Sequence, residues 1–323
     1  MTQNISPILE VKDLAVSFGR GAFPAVRGLD FTLDPGEVVG LVGESGSGKS
    51  ITAYSILGLL PHGAVLERGT VTFKNQDLTR MAEPKRRELC GRHMGMIFQE
   101  PLTALNPVFT VGEQVSEIFR YRLGLNRREA KKRSLKLLAE VGLPNPESAF
   151  KSYPHRFSGG MRQRVVTAMA LALSPELVIA DEPTTALDPT IATQIISLIR
   201  DLAAQSQASV LFITHNLRLL IGLAKRILVM YHGLVVEETP GFDQLKHPYS
   251  RGLWQALPPE PEQNQKAARR LQPIPGSAPG PGDKIIGCAF APRCSAAEDV
   301  CFKEDIPLTE LSPTQRVRCL FPC

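Results

Sequence analysis

The stretch Gly43-Glu-Ser-Gly-Ser-Gly-Lys-Ser50 decides the fold, because it fits the pattern G-x-x-x-x-G-K-[ST] and follows an apolar run of strand length, Val38-Val-Gly-Leu-Val42. A helical stretch over about 49–60 comes next. Glycines open backbone conformations that are closed to other residues, so successive N–H groups can turn inward toward an anion. The positive end of the following helix adds to this attraction. A strand, a glycine-rich loop and a helix in this order predict a site for the phosphates of a nucleotide.

Within this phosphate loop, residues 43–50, two side chains have chemical tasks. Lys49 would neutralise the β- and γ-phosphates, and the hydroxyl of Ser50 would bind Mg²⁺. The competing interpretation is a bare glycine-rich turn, which the strand before the loop and the helix after it disfavour. The predicted nucleotide contacts of this stretch are Gly43, Ser45, Gly46, Ser47, Gly48, Lys49, Ser50 and Ile51.

A second buried strand ends in two carboxylates, in Leu177-Val-Ile-Ala-Asp181-Glu182. Asp181 would hold Mg²⁺ through water, and Glu182 would polarise the attacking water as a general base. Taken alone, Asp181 could equally cap the helix that follows. The phosphate loop earlier in the chain favours the catalytic interpretation.

Another candidate anion site is Ser158-Gly-Gly160, which opens a helical pattern. The N–H groups at such a helix start can bind an anion, although an ordinary serine N-cap explains the same residues. The motif alone does not decide between these interpretations.

Apolar runs of strand length predict an α/β fold. Short, doubly buried runs between helical stretches indicate a parallel sheet, and they lie at 38–42, 95–98, 177–180 and 210–213. Alternating or hairpin-like runs predict a smaller antiparallel layer, and they lie at 11–18, 69–73, 227–231 and 234–238. Helical material over about 101–165 interrupts the strands and predicts a helical subdomain.

Proline and glycine become dense from residue 256 to 282, which predicts an extended linker. We therefore divide the chain into a nucleotide-binding domain at 1–255 and a linker with a small cysteine-rich extension at 256–323. The basic stretch at 127–133 is interpreted as the solvated face of a helix.

Length and charge narrow the classes of partner. The 323 residues carry 37 Lys and Arg against 32 Asp and Glu, a net charge of +5. Binding to nucleic acid normally needs a denser basic stripe, so we expect no such partner. The first ten residues lack a basic region followed by an apolar stretch, and no apolar run of about 18 residues occurs. We therefore expect neither a signal peptide nor a membrane span.

Five of the six cysteines lie at 288–323, with the spacing Cys288-x5-Cys294-x6-Cys301-x17-Cys319 and Cys323 beyond. In a chain with no secretion signal this crowding favours metal or cluster ligation. Four thiolates suffice for zinc or for an iron–sulfur cluster, and the spacing alone decides neither. Reduced or disulfide-paired cysteines stay open as well. Cys323 and the distant Cys90 receive no role.

Six motifs in a fixed order resemble those of the ATP-binding-cassette ATPases over about residues 8–240. They are the phosphate loop, Gln99, Ser158-Gly-Gly160, Asp181-Glu182, Ala186-Leu-Asp188 and His215. The resemblance implies a P-loop (RecA-like) parallel-sheet core with an antiparallel β layer and a helical subdomain. It also implies two subunits facing head to tail, so that each ATP lies between one phosphate loop and the other subunit's signature helix.

The resemblance also implies roles for single residues. Phe18 would stack on adenine, and Asp188 would link the two ATP sites. Gln99 would touch Mg²⁺ and couple to the transporter, and His215 would contact the γ-phosphate, so both join Glu182 in catalysis. The signature contacts to ATP would come from Ser158, Gly159, Gly160 and Met161. The family usually has Leu and Gln at positions 157 and 161, where this chain has Phe157 and Met161. Because the phosphate contact relies on Ser158 and on backbone N–H groups of the glycines, we expect an active ATPase, with a rate that can differ at the site facing Met161.

Three further stretches are similar to one branch, the ATPase subunits of dipeptide, oligopeptide and nickel importers. They are Gln99-Glu-Pro-Leu-Thr-Ala-Leu-Asn-Pro107, His247-Pro-Tyr-Ser-Arg-Gly-Leu-Trp-Gln-Ala-Leu-Pro258 and Pro273-Ile-Pro-Gly276. The branch implies a second ATPase subunit, usually a different chain, together with two permease subunits and an external substrate-binding protein. It implies a peripheral place on the cytoplasmic face of the inner membrane.

The branch also implies a [4Fe–4S] cluster on Cys288, Cys294, Cys301 and Cys319. Two other functions remain as alternatives. A soluble cassette ATPase acting on nucleic acid or ribosomes usually has two cassettes or basic arms, which this chain lacks. A small-molecule kinase would leave Ser158-Gly-Gly160, Asp188 and His215 without a purpose.

Overall fold

The computed structural model describes residues 6–19, 21–185, 187–257, 273–280, 282–283 and 285–323. The chain divides into two compact units. The first unit comprises Met1–Leu9, Thr32–Val38 and Thr72–Thr214, and the second comprises Glu10–Phe31, Val39–Val71 and His215–Cys323. Most of the predicted linker, at 258–272 and 281, lies outside the described residues, as does Ala186.

Regular elements account for most of the described chain. The strands are β1 (Leu9–Phe18), β2 (Phe23–Leu33), β3 (Val38–Val42), β4 (Ala64–Phe73), β5 (Gln76–Asp77), β6 (Met94–Ile97), β7 (Leu177–Asp181), β8 (Ser209–Thr214), β9 (Arg226–Tyr231), β10 (Leu234–Thr239), β11 (Thr309–Ser312) and β12 (Gln315–Val317). The α-helices are α1 (Lys49–Leu57), α2 (Glu83–His93), α3 (Pro101–Ala104), α4 (Val111–Leu123), α5 (Arg127–Glu140), α6 (Pro146–Phe150), α7 (Gly159–Leu171), α8 (Pro189–Ser206) and α9 (Pro248–Gln255).

The first unit contains the parallel strands β6, β7 and β8. Leu177 pairs with Met94 on one side and with Ser209 on the other. Every residue of β7 and β8 is buried, as expected for strands covered on both faces. The predicted parallel strands of this unit are thus confirmed to within two residues at each end. The helices α3 to α6 and the start of α7 occupy the predicted helical stretch.

In the second unit β3 pairs in parallel with β9, which pairs antiparallel with β10. The sequence placed β9 and β10 in the antiparallel layer, and this prediction was wrong. Five of the six residues of β9 are buried, so the strand is covered on both faces and joins the strand that leads into the phosphate loop. A single-sided layer would expose every second residue of such a strand.

The strands β2, β1 and β4 lie side by side in that order. The sequence predicted parts of β1 and β4 but not β2, because Gly28 takes a positive φ of 110° and interrupts the alternation of buried and exposed residues. Helix α1 ends at Leu57, three residues earlier than predicted, since Gly58 adopts the left-handed conformation that closes a helix.

The cysteine-rich extension adds two strands that the sequence did not predict. β12 pairs antiparallel with β10 through Val317 and Glu237, and β11 pairs with β12. Their residues are mostly polar and only partly buried, so no apolar pattern marks them. Among the helices of the described residues, none has the length and apolar character needed to cross a membrane.

Candidate ATP site and cysteine cavity

The phosphate loop takes a shape that only glycine permits at two positions. Gly43 has a φ of 155° and Gly48 a φ of 105°. A Cβ on Gly43 would lie 2.1 Å from the carbonyl oxygen of Met230, and a Cβ on Gly48 would lie 2.4 Å from that of Ala25. A backbone oxygen cannot move aside as the end of a flexible side chain can. Both positions therefore require glycine for two reasons: the positive φ and the lack of space for a Cβ.

Lys49 occupies the inside of this loop. Its side chain is buried, and its ammonium group donates to the carbonyl oxygens of Gly43 at 2.9 Å and Glu44 at 2.8 Å. Gly48 is the N-cap of α1 and has no side chain to cap the helix. The first N–H groups of the helix therefore face the loop beside a buried positive charge, which is an anion-binding arrangement.

Three contacts from later parts of the second unit support the loop, and sequence reasoning missed all three. The N–H of Gly233 donates to the carbonyl oxygen of Ser47 at 3.0 Å. The N–H of Glu44 donates to the hydroxyl of Tyr249 at 2.8 Å. The carboxylate of Glu44 forms an ion pair with Arg293. Such long-range contacts leave no local pattern in the sequence.

Two other predicted residues belong to the second unit. Phe18 is the last residue of β1 and is half-buried. His215 directly follows Thr214, the end of β8, and is exposed. Their predicted contacts with adenine and with the γ-phosphate remain predictions.

The predicted carboxylates lie in the first unit at the end of β7. Asp181 is fully buried, and Glu182 takes a φ of 45°, which is uncommon for a residue other than glycine. The side-chain amide of Gln99 donates to Glu182 Oε2 at 3.3 Å, and the hydroxyl of Thr185 donates to the same oxygen at 2.9 Å. The structure therefore brings Gln99 and Glu182 together, and adds Thr185, which the sequence analysis did not single out.

The signature residues begin a helix in the same unit. Ser158 is the N-cap of α7, and its hydroxyl accepts from the N–H of Met161 at 3.4 Å. Asp188 is the N-cap of α8, and its carboxylate accepts from the N–H of Ile191 at 3.0 Å. A Cβ on Gly160 would lie 2.6 Å from the side chain of Ile191. Both helix starts are thus fixed by short caps, and α7 can approach Ile191 only because position 160 is glycine.

Four cysteines of the extension line one cavity in the second unit. They are Cys288, Cys294, Cys301 and Cys319. The thiol of Cys288 interacts electrostatically with those of Cys301 and Cys294, and the thiol of Cys319 with those of Cys288 and Cys294. Burial raises the pKa of the Cys288 and Cys294 thiols and raises the pKa of the Cys319 thiol to about 11.

Backbone contacts bring these cysteines together. The N–H of Cys288 donates to the carbonyl oxygen of Cys301 at 2.8 Å, and a Cβ on Gly287 would lie 2.3 Å from that same oxygen. Cys319 follows β12, which is fixed by its pairing with β10. Within the described part of the chain, no group of three or more His, Cys, Asp or Glu side chains could hold one metal ion.

Two family models match the chain. One is described as an ABC transporter model and matches residues 26–185. The other is described as the oligopeptide/dipeptide transporter C-terminal region and matches residues 241–301. The second match includes three of the four cysteines that line the cavity.

Curated relatives match nearly the whole chain. The oligopeptide transport ATP-binding protein OppD of Bacillus subtilis is 43% identical over 97% of this chain and 88% of its own length. The dipeptide transport ATP-binding protein DppD of Escherichia coli is 42% identical over 98% of this chain and 97% of its own length.

Among solved structures, the dimeric ATP-binding cassette MJ0796 in a post-hydrolysis state with ADP and Pi matches with a TM-score of 0.65. The match has 26% sequence identity and covers 72% of this chain and 98% of the cassette. The fold, the nucleotide motifs and these relatives agree. The chain therefore belongs to the ATP-binding subunits of the ABC transporters, in the branch of the oligopeptide and dipeptide transport proteins.

Proposed function

We propose that this chain hydrolyses ATP to energise an importer of oligopeptides, dipeptides or a similar small solute, such as nickel or another metal complex. One observation carries the proposal. The glycine-shaped loop holds the buried Lys49 at the start of α1, as a site for nucleotide phosphates requires. The whole-length similarity to peptide-transport ATP-binding proteins supports the class of solute.

Mg²⁺ fits the residues that the sequence predicts for it. Ser50, Gln99 and Asp181 offer a hydroxyl, an amide oxygen and a carboxylate, which are the hard oxygen ligands that this ion prefers. When bound, the ion neutralises charge on the β- and γ-phosphates.

Glu182 is the proposed general base, assisted by two neighbours. Its Oε2 accepts from Gln99 and Thr185, which fixes the direction of the carboxylate. The positive φ of Glu182 is a local strain of the kind that concentrates at functional sites. His215 would contact the γ-phosphate, and Phe18 would stack on adenine.

We further propose that two ATPase subunits, of different chains, act as a head-to-tail pair. The signature helix α7 begins at Ser158 with two glycines, so its first N–H groups can approach a phosphate of the facing subunit. Its ATP contacts would be Ser158, Gly159, Gly160 and Met161. Asp188, capping the start of α8, would link the two sites.

A groove of about 860 Å³ in the first unit is the proposed docking place for a permease subunit. Its lining includes Phe98, Phe109, Tyr121 and Met169, and Phe109 and Tyr121 are exposed. Phe98 directly precedes Gln99, which contacts Glu182. A permease segment bound in the groove would contact Phe98 and could thereby shift Gln99, which donates a hydrogen bond to the catalytic carboxylate of Glu182. With two permeases and an external substrate-binding protein, the pair would work peripherally at the cytoplasmic face of the inner membrane.

For the cysteine cavity we propose a [4Fe–4S] cluster on Cys288, Cys294, Cys301 and Cys319. The support is that these four thiols line one cavity. Four cysteine thiolates are a ligand set that such a cluster uses. A cluster would join segments of a small extension.

The other two functions have no comparable support. The relatives are transport proteins, and the second family model matches the extension that importers of this branch carry. A nucleic-acid or ribosome-associated ATPase is thereby not supported.

Replacing Glu182 by Gln in the assembled transporter tests the proposal. We expect ATP binding to persist and hydrolysis to fall by at least about 100-fold, since a general base contributes 10²–10⁴ in rate. Glu176→Gln is the matched control, because this carboxylate is paired with Lys74 at the surface. Undiminished turnover of the Glu182 variant would remove Glu182 as the base.

A further inference from the structure

Glu44, the second residue of the phosphate loop, is held by an arginine from the cysteine-rich extension. Nη1 of Arg293 lies 2.7 Å from Glu44 Oε2, and Nη2 lies 3.0 Å from Oε1. The two parallel bonds form a bidentate pair, which fixes direction as well as distance. The Arg293 side chain is only 6% exposed. The pair with Glu44 raises the pKa of Arg293 still further above its ordinary value, so the charge is permanent.

A tyrosine from α9 holds the backbone of the same residue. The hydroxyl of Tyr249 accepts from the N–H of Glu44 at 2.8 Å. Tyr249 is fully buried, so this hydroxyl has little freedom to choose another partner. Glu44 is therefore fixed at its N–H and at its carboxylate by two residues that lie more than 200 positions away in the sequence.

The groups that hold Glu44 are themselves fixed. The rings of Tyr231, Tyr249 and Phe290 pack together with centroids 4.5 to 5.5 Å apart. Nε of Arg293 donates to the carbonyl oxygen of Pro275 at 2.9 Å, and its Nη1 contacts the Tyr231 hydroxyl at 3.2 Å. Packed rings and the four hydrogen bonds of the guanidinium restrict the orientation of Arg293.

Fixing Glu44 matters because the phosphate loop binds through backbone N–H groups. A loop that is already in its binding shape loses less conformational freedom when the phosphates arrive. We propose that Arg293 of the cysteine-rich extension and Tyr249 of α9 are positioning residues for the phosphate loop, and that through Arg293 the extension strengthens the binding of MgATP. This inference rests on the proposed function as an ATPase.

Reciprocity follows from this arrangement. If the ordered extension strengthens nucleotide binding, bound nucleotide must stabilise the extension by the same factor. Arg293 directly precedes Cys294, which lines the cysteine cavity. Whatever orders that cavity would therefore also act on the phosphate loop, without any contact to the nucleotide.

Two substitutions in the full-length chain test the inference. Tyr249→Phe removes only the hydroxyl, and Arg293→Lys keeps the charge but loses the bidentate geometry. We expect the Kd for MgATP, measured by calorimetry, to rise about threefold in the first and about tenfold in the second, within the range for coupled neighbours. Hydrogen exchange at the Glu44 amide should accelerate in both. In the assembled transporter, KM for ATP should rise while kcat at saturating ATP stays unchanged.

Lys303→Gln is the matched control, since Lys303 lies in the same extension but forms only an exposed ion pair with Asp299. It should leave both the Kd and the Glu44 amide unaffected. Wild-type Kd and amide exchange in Tyr249→Phe and Arg293→Lys would overturn the inference, as would an equal loss of affinity in Lys303→Gln. Absence of MgATP binding by the wild-type chain would instead contradict the proposed function, so the two failures are distinguishable.

Discussion

The phosphate loop and the cysteine cavity are both small sites in the second unit, but they are built in different ways. The loop is one run of eight residues, and its shape depends on glycines within that run. The cavity collects four thiols from 32 positions of chain, brought together by a hydrogen bond between Cys288 and Cys301 and by a strand pairing. Local conformation forms the first site, and distant pairing forms the second.

This difference decides what each site needs in order to persist. The glycines of the loop allow its shape, and contacts with Tyr249 and Arg293 hold it in that shape. The cavity depends on β10 to hold β12, the strand that leads to Cys319. The two sites meet at Arg293, so a change in one is expected to reach the other. Substitutions in the loop and in the extension therefore separate local from distant support.

The largest effect is expected from Gly43→Ala. The new Cβ would meet the carbonyl oxygen of Met230 at 2.1 Å in a conformation with positive φ. We expect a loss of MgATP affinity of at least about 100-fold and a cost of about 3 kcal/mol in the free energy of unfolding. Calorimetry and urea denaturation measure the two quantities.

The control is Gly63→Ala. Gly63 has a φ of 85°, and a Cβ at this position would have no atom within 4 Å. It should cost about 1 kcal/mol and leave affinity intact. Equal loss of affinity in both variants would show that backbone strain anywhere in the unit, and not the space beside Met230, governs the loop.

Cys301→Ser is expected to weaken nucleotide binding less than Gly43→Ala does, but to abolish the binding of iron. Because Cys301 is a proposed ligand, iron and acid-labile sulfide should be lost from protein purified without oxygen, and the extension should become more sensitive to proteolysis. Cys323→Ser should retain both. Iron loss from Cys323→Ser would mean that the ligand set was chosen wrongly, and iron-free wild-type protein would contradict the cluster.

The smallest of the three effects is expected from Glu238→Ala. This buried carboxylate pairs with Arg226 of β9 and with Arg316 of β12, and so joins the extension to the sheet. Its removal should cost about 2 kcal/mol, less than a fully buried pair, since Arg316 is 35% exposed. Denaturant unfolding measures the cost.

Asp299→Ala is the comparison for Glu238→Ala, because Asp299 forms an exposed ion pair with Lys303 inside the extension. It should change Tm by less than about 2 °C. If the two variants are equally stable, the ion pairs of Glu238 do not hold the extension to the sheet.

The sequence predicted those parts of the molecule that are specified by neighbouring residues. The limits of β3, the phosphate loop and the start of α1 are confirmed. Asp181 was placed correctly at the end of a buried strand, and Gln99 and Glu182 lie in contact. In each case an apolar run or a short motif carries the information.

What the sequence did not predict depends on partners far along the chain. β9 and β10 were placed in the wrong layer, because an apolar hairpin has the same pattern whichever strand it pairs with. β12 carries too little apolar character to be recognised. The pair of Arg293 with Glu44 joins residues 249 positions apart, and neither residue is unusual in its local sequence.

Several residues that contact the phosphate loop are synthesised after the loop itself. The loop itself is synthesised early, whereas Met230, Gly233, Tyr249 and Arg293 follow only after roughly 180 to 250 further residues. A nascent chain therefore displays the complete motif long before the groups that hold its shape leave the ribosome. Tight nucleotide binding would then require that these later residues have been synthesised and have packed against the loop.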